Sequence, residues 1–363
     1  MFVDNLNITS FRNFDSCQLQ FGDDINVLYG KNGSGKTNIL EAVFVLLLGR
    51  SPRGAADQVM LKNSADFYRV QGDINIEDKS HEFAIAYQKG GRKKITIDKV
   101  TSRTSDLFEK CGAVSAAPED VELLAGPPAR RRDFINIYLS QASGRYIADM
   151  SDYQKVLAQK NAFLKQGNNH SETPYDDLLI KYGSIIMLAR NHFLKTISAT
   201  ATDYYKKIAG GQTFSINYKP SVSFDLNQDK SEIIENAFRE KLDRYKEKEK
   251  ILQTALVGPH RDDIEFCIGD LPARTHGSQG ELRTAAISLK LAVFDYLKKI
   301  RKETPILLLD EIFAELDDNR KEILVELFGQ FGQLFLTTAS QIPEKLLQTS
   351  RAFKIENAAV FPQ

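Results

Sequence analysis

Cysteine is scarce in this chain. Cys17, Cys111 and Cys267 are the only three; they are odd in number, far apart and in no CxxC spacing, which excludes a disulfide scaffold and a cysteine zinc site. A reducing interior fits. Charge of one sign is also missing: 48 Lys and Arg face 48 Asp and Glu. Any nucleic-acid contact therefore has to come from local basic clusters. No stretch reaches the roughly 18 uninterrupted apolar residues that span a bilayer. The first residues, Met1-Phe2-Val3-Asp4-Asn5, lack a basic segment leading into an apolar core. These absences predict a cytoplasmic protein with no membrane partner.

What is present is an ordinary globular composition, 42% apolar and 26% charged over 363 residues, long enough for two lobes with separate cores. The most informative stretch is Gly30-Lys31-Asn32-Gly33-Ser34-Gly35-Lys36-Thr37, a complete GxxxxGK[ST] pattern between the apolar runs 25–29 and 39–48. Strand, glycine loop and helix are the expected elements. Such a loop turns successive backbone N–H groups toward phosphate oxygens, and the helix start adds its positive dipole end. Lys36 is then the cation for the β- and γ-phosphates, and Thr37 a ligand of Mg²⁺.

Ahead of the loop, alternation predicts strands over 6–11 and 18–21. Arg12 lies between them in Phe11-Arg12-Asn13-Phe14, as a solvated turn residue or a nucleotide contact. After the helix, Arg50-Ser51-Pro52-Arg53-Gly54 breaks the periodicity, and short strands over 70–76, 82–87 and 94–97 form an antiparallel patch. The last two join through a Gly-Gly turn carrying Arg92, Lys93 and Lys94, either phosphate-pairing groups or a solvated hairpin end. Another strand is read over 112–117, then a helix near Pro128 with Arg130, Arg131 and Arg132 in its first turn. Three cations there oppose the helix dipole, so they should face an anion: a nucleic-acid phosphate, or carboxylates such as Glu119 and Asp120.

From Tyr146 the spacing turns helical. One stripe holds Tyr146, Met150, Tyr153, Leu157 and Leu164; a second runs Tyr175, Leu178, Tyr182, Ile186, Ala189, Phe193 and Ile197; a third runs Ile234, Phe238, Leu242 and Tyr245. A polar break at 167–174 separates the first two, and His170 and His192 read as structural or solvated. Gly258-Pro259-His260-Arg261-Asp262-Asp263 is a polar turn before a strand over 264–268, a site-lining loop or a plain turn. The expected lobes are therefore 1–143 and 257–363 for an α/β ATPase lobe, with 144–256 as a mostly helical inserted lobe.

Two stretches of explicit chemistry close the chain. An apolar strand ends in Asp310-Glu311, the pattern in which the first carboxylate holds Mg²⁺ and the second polarises the attacking water. Upstream, Gly277-Ser278-Gln279-Gly280-Glu281 opens a long apolar helix, a second anion-binding element or an ordinary capping box.

The order of these blocks resembles the ABC-type ATPases of the SMC class, and within them the RecF family of bacterial recombination mediators. The blocks FRNF (11–14), GKNGSGKT (30–37), PEDVELLAGPPARRR (118–132), GPHRDD (258–263), GSQGELRTAAISLKLA (277–292) and LLLDEIFAELDDNR (307–320) span almost the whole chain. The resemblance implies an ABC-type head with a mixed sheet, an antiparallel patch and a helical second lobe. It implies an ATP-dependent homodimer in which Ser278 and Gly280 of one copy close on the γ-phosphate held by Lys36 of the other, with Asp317 in the loop between them. DNA binding at duplex gaps, slow ATP hydrolysis, and work with RecR and RecO in loading RecA are further implications.

Two positions depart from ABC transporters, which carry a glutamine before the helical subdomain and a histidine after the last strand; here those regions read 116–120 and 336–340. Gln141 and Thr338 are the alternatives for a γ-phosphate sensor. A chromosome-organising SMC protein needs far longer heptad arms between its halves. A small-molecule phosphotransferase needs the loop but no serine-glycine helix start.

Overall fold

In a computed structural model of the chain, residues 1–166, 174–227, 230–314, 316–339, 346 and 348–362 are described. Residues 167–173 of the predicted break at 167–174, with His170, and Ser340, lie outside them. Two compact units emerge: Met1–Asp120 with Tyr204–Gly211 and Gln279–Gln363, and Val121–Asp203 with Gln212–Ser278. Their borders fall at 120/121, 203/204, 211/212 and 278/279, where the sequence reading expected 143/144 and 256/257. The arginine-bearing helix Pro128–Ala142 and the strand Asp263–Ile268 thus group with the helical unit.

The first unit contains two sheets. One runs in the order Ala359–Pro362, Ser350–Glu356, Ile25–Tyr29, Leu334–Thr338, Ile306–Leu309, Ala113–Ala116, parallel except for its first strand. The pair 350–362 had no reading from sequence. Its central strands are buried runs of Val, Leu, Ile and Phe, as a sheet covered on both faces requires. The other sheet is antiparallel and includes Asn5–Phe11, Phe14–Gln20, Phe67–Ile76, Lys79–Gln88 and Lys94–Ile97, each strand longer than or equal to its predicted extent. The predicted turn at Gly22 is closed by Asn26, whose side chain bonds Gly22 N and O and Asp24 O.

The phosphate-loop helix, Lys36–Leu48, packs on strands of both sheets, and 11 of its 13 residues are buried. A helix apolar all round is stable only in such a position. Full burial of side chains such as Ile39, Phe44 and Leu47 stabilises by about 1.5–3 kcal/mol each, upper values given a collapsed unfolded chain. Helix Gln279–Ile300 is similarly enclosed.

In the second unit, helices Gly144–Lys165, Asp176–Ala209 (up to Asp203) and Ser231–Leu252 accompany a small sheet of Phe214–Lys219, Asp263–Ile268 and Leu271–Pro272. Ile180, Met187, Val222, Ile234, Phe238, Leu242 and Val257 form one of its cores. Of the stripe expected on helix 176–209, Ile186, Phe193 and Ile197 are buried and Leu178 is exposed, while Leu179, Ile180, Met187, Arg190 and Leu194, off that stripe, are buried as well. A helix covered on two sides buries more than one stripe, so the single-stripe reading captured only part of the buried surface.

Candidate nucleotide site

The loop 30–35 owes its shape to glycine. Gly30 has φ 151°, and a Cβ there would lie 2.2 Å from Ile355 O; Gly35 has φ 116°, and its Cβ would lie 2.8 Å from the Phe14 ring. Both positions forbid any side chain. Gly35 caps the helix without a side-chain bond, which leaves the first helical N–H groups directed at the loop's concavity. Ala358 N donates to Ser34 O at 3.0 Å, so the turn of the C-terminal hairpin braces the loop from outside. The adjoining pocket, about 340 Å³, is bounded by Asn32, Gly35, Lys36, Thr37, Asn38 and Glu311.

Four functional side chains separated by some 273 positions converge there. Thr37 Oγ1 donates to Asp310 Oδ1 at 2.8 Å, and Thr337 Oγ1 donates to the same oxygen at 2.6 Å. Lys36 Nζ lies 3.0 Å from Glu311 Oε1 and donates to Gly30 O and Lys31 O. Parallel pairing of Ile306–Leu309 with Leu334–Thr338, Leu309 opposite Leu336, sets Asp310 beside Thr337. Glu311 holds a left-handed φ of 46°, a strained conformation fixed by Thr337 Oγ1 accepting its N–H and by Ala339 N donating to its Oε2. Burial pushes the Asp310 carboxyl above the usual carboxylate range, partly offset by bonds from Thr337 and Thr37 and by the Arg53 charge. The hydroxyl of Thr37 and the carboxylate of Asp310 are hard oxygen donors in contact, a set that fits Mg²⁺.

Gly280 lies in the first turn of Gln279–Ile300, directly after Ser278. Asp317 caps helix Asp318–Phe328 by accepting Arg320 N at 2.9 Å. Arg320 joins the two elements: Nε pairs with Asp317 at 3.1 Å, and NH1 donates to Thr284 Oγ1 and Gly280 O. Of the sensor alternatives, Thr338 ends the strand beside Tyr29, and Gln141 is buried on Pro128–Ala142 of the second unit.

The structure gives several of the expected cations protein partners. Arg12 is anchored rather than a free turn residue: Nε and NH2 clasp Glu41 at 2.6 and 2.7 Å, and NH1 donates to Val59 O. Lys93 is tethered to Gly49 O and Asp57, so only Arg92 and Lys94 of that trio stay exposed. Arg131 is 2% exposed and clamps Asp263 through Nε and NH2, while Arg132 donates to Asp262 O; Arg130 alone is exposed. Arg131 thus meets a carboxylate and Arg132 a backbone carbonyl, while Glu119 and Asp120 pair with Arg53 and Lys290.

The polar turn 258–263 is a packing hub of the second unit. Asp262 accepts from Arg190, Tyr218 OH and Ser221 N. Residues that sequence reasoning missed are Thr337, inside an apolar strand, and Arg53, whose only signal was the break after the phosphate-loop helix. Among the described residues, no group of three or more His, Cys, Asp or Glu side chains is placed to hold a metal ion, and no helix is long and apolar enough to cross a membrane.

A parallel sheet with a phosphate loop at one strand end, an acidic pair at the next but one, and an attached antiparallel sheet defines an ABC-type ATPase head. The family described as RecF/RecN/SMC N terminal domain matches residues 2–358. DNA replication and repair protein RecF of Lachnoclostridium phytofermentans is 35% identical over 99% of both chains. The RecF of Bacillus thuringiensis is 34% identical over 99% of this chain and 98% of its own. Among solved structures, the recombination mediator RecF-ATP of the RecFOR pathway superposes with TM-score 0.91 at 28% identity, covering 100% of this chain and 97% of that one. The Smc head domain from Pyrococcus furiosus shares the fold, with TM-score 0.57 at 14% identity and coverage of 100% and 96%. The chain belongs to the RecF family.

Proposed function

We propose that the protein is an ATP-dependent DNA-binding protein of recombinational repair and replication-fork maintenance, one that dimerises on ATP at duplex/single-strand gaps. It acts with RecR and RecO in helping to load RecA, and slow, DNA-stimulated hydrolysis resets it. The observation that carries the reading is the convergence of Lys36, Thr37, Asp310 and Glu311 around one glycine loop in a chain of this family.

Lys36 Nζ, on a short tether to the loop carbonyls, moves from Glu311 to the β- and γ-phosphate oxygens. That frees Glu311 Oε1 to take the proton of the attacking water. Thr37 and Asp310 would hold Mg²⁺, which would supply charge neutralisation of the phosphates. Ser278 and Gly280 of a second copy close on the γ-phosphate, with Asp317 in the loop between the copies, so that nucleotide is a shared ligand of the dimer. Arg92, Lys94 and Arg130 are exposed cations available to DNA phosphates.

Sedimentation with and without ATP and a gapped duplex tests the reading. Dimers that form with ATP and disappear in Ser278→Arg support it. A chain that stays single while saturated with ATP overturns the clamp and favours a small-molecule phosphotransferase.

A further inference from the structure

Arg53 follows the phosphate-loop helix, and its guanidinium is divided between two carboxylates. NH2 stands 3.2 Å from Asp310 Oδ2 and 2.9 Å from Glu119 Oε1. The base of this side chain is pinned: Arg53 N donates to Ser51 Oγ, Ser51 Oγ donates to Glu41 Oε1, and Glu41 is held by Arg12. The tip is not pinned, because the Arg53 side chain is 37% exposed and that of Glu119 51%. A fixed backbone, a movable charge and two acceptors of different burial make an exchange device.

We infer that Arg53 is a positioning residue that gates the metal: it neutralises Asp310 until Mg²⁺ takes that carboxylate, and Glu119 then receives the displaced guanidinium. The inference rests on Asp310 being the metal's partner in the proposed ATP site. A buried carboxylate needs a counter-charge at every stage, and Arg53 supplies one. A divalent ion on the same carboxylate repels the guanidinium, at a cost that even a high effective dielectric leaves large enough to alter a binding constant. Loss of Arg53 therefore has a sign opposite to that of a structural residue: metal binding strengthens.

The test is a Mn²⁺ titration followed by electron paramagnetic resonance on the full chain with a non-hydrolysable ATP analogue. Arg53→Gln is expected to bind Mn²⁺ about tenfold more tightly than wild type, with Arg53→Lys close to wild type. Glu119→Gln should bind it several-fold more weakly, having lost the receiving carboxylate. Unchanged or weaker Mn²⁺ binding in Arg53→Gln, with nucleotide still bound, overturns the role of Arg53 alone. Binding of a fluorescent ATP analogue in the presence of a chelator reports on the loop separately. If wild type shows none with or without metal, the ATP site itself falls and the inference falls with it.

Discussion

Two networks of charge in this molecule follow opposite rules. In the second unit, Arg190 and Asp262 are both almost fully buried and saturated: Arg190 reaches Pro259 O, Asp262, Asn136 and Tyr146, and Asp262 receives Arg190, Tyr218 and Ser221. At the phosphate loop, Lys36 and Asp310 are almost as buried, but their partners Glu311 and Arg53 are partly exposed, and Glu311 borders the open pocket. A saturated buried pair holds structure, since breaking it strands a charge. Where the partners can leave, the same side-chain types can exchange one ligand for another.

The comparison breaks most severely at the hub. Asp262→Ala leaves Arg190 buried without its carboxylate and is expected to cost about 3–5 kcal/mol, read as a lower denaturant midpoint. Nucleotide affinity of the remaining folded protein should change little. Lys36→Ala should do the reverse, lowering ATP affinity by about a hundredfold with the denaturant midpoint nearly unchanged. A variant that moved both quantities together would erase the distinction. Glu311→Gln sharpens it from the other side: ATP stays bound and single-turnover hydrolysis slows by about 10²-fold or more. Hydrolysis at the wild-type rate would remove Glu311 from the role of base.

A smaller effect is expected from His260, which is buried in the hub. Its Nε2–H donates to Ala255 O and its Nδ1 accepts from Tyr153 OH. Burial pulls the imidazole down to about 4, so between pH 6.5 and 4 the unfolded chain binds the proton and the folded chain does not. Stability is thus fully present above pH 6.5 and declines as pH falls through that window, by about 2 kcal/mol at pH 5. Thermal melts at pH 7 and pH 5 should show the loss, and His260→Gln should flatten it. Weakest of all, Arg92→Gln with Lys94→Gln should reduce the salt slope of duplex binding by about 2, and Lys93→Gln should not, because Lys93 is engaged by Gly49 and Asp57. An unchanged slope returns the hairpin tip to a solvated end.

The phosphate loop could be read from sequence because its chemistry resides in local backbone: Gly30 and Gly35 are needed where they stand, and the flanking apolar runs name strand and helix. The acids Asp310 and Glu311 were legible for the same reason, as charge at the end of a buried run. The partners of Arg12, Lys93 and Arg131 were not legible because each meets its partner across long stretches of chain, Arg131 reaching Asp263 over 132 positions. Local pattern shows that a cation is out of place without showing which carboxylate answers it. Thr337 was invisible, since a threonine within Leu334–Thr338 looks like any strand residue until the register sets it against Asp310.

Sequence by itself determined the phosphate loop, the acidic strand end, the helix start at Ser278 and the membership of a family, all properties of contiguous residues whose backbone needs are local. Tertiary structure decided which buried cations are spent on packing and which stand at the pocket. It also set the C-terminal hairpin against the loop and gave Arg53 its two carboxylates. The physical reason is that a charge in a low-dielectric interior must find its counter-charge through space, and only the folded chain fixes which groups come within reach.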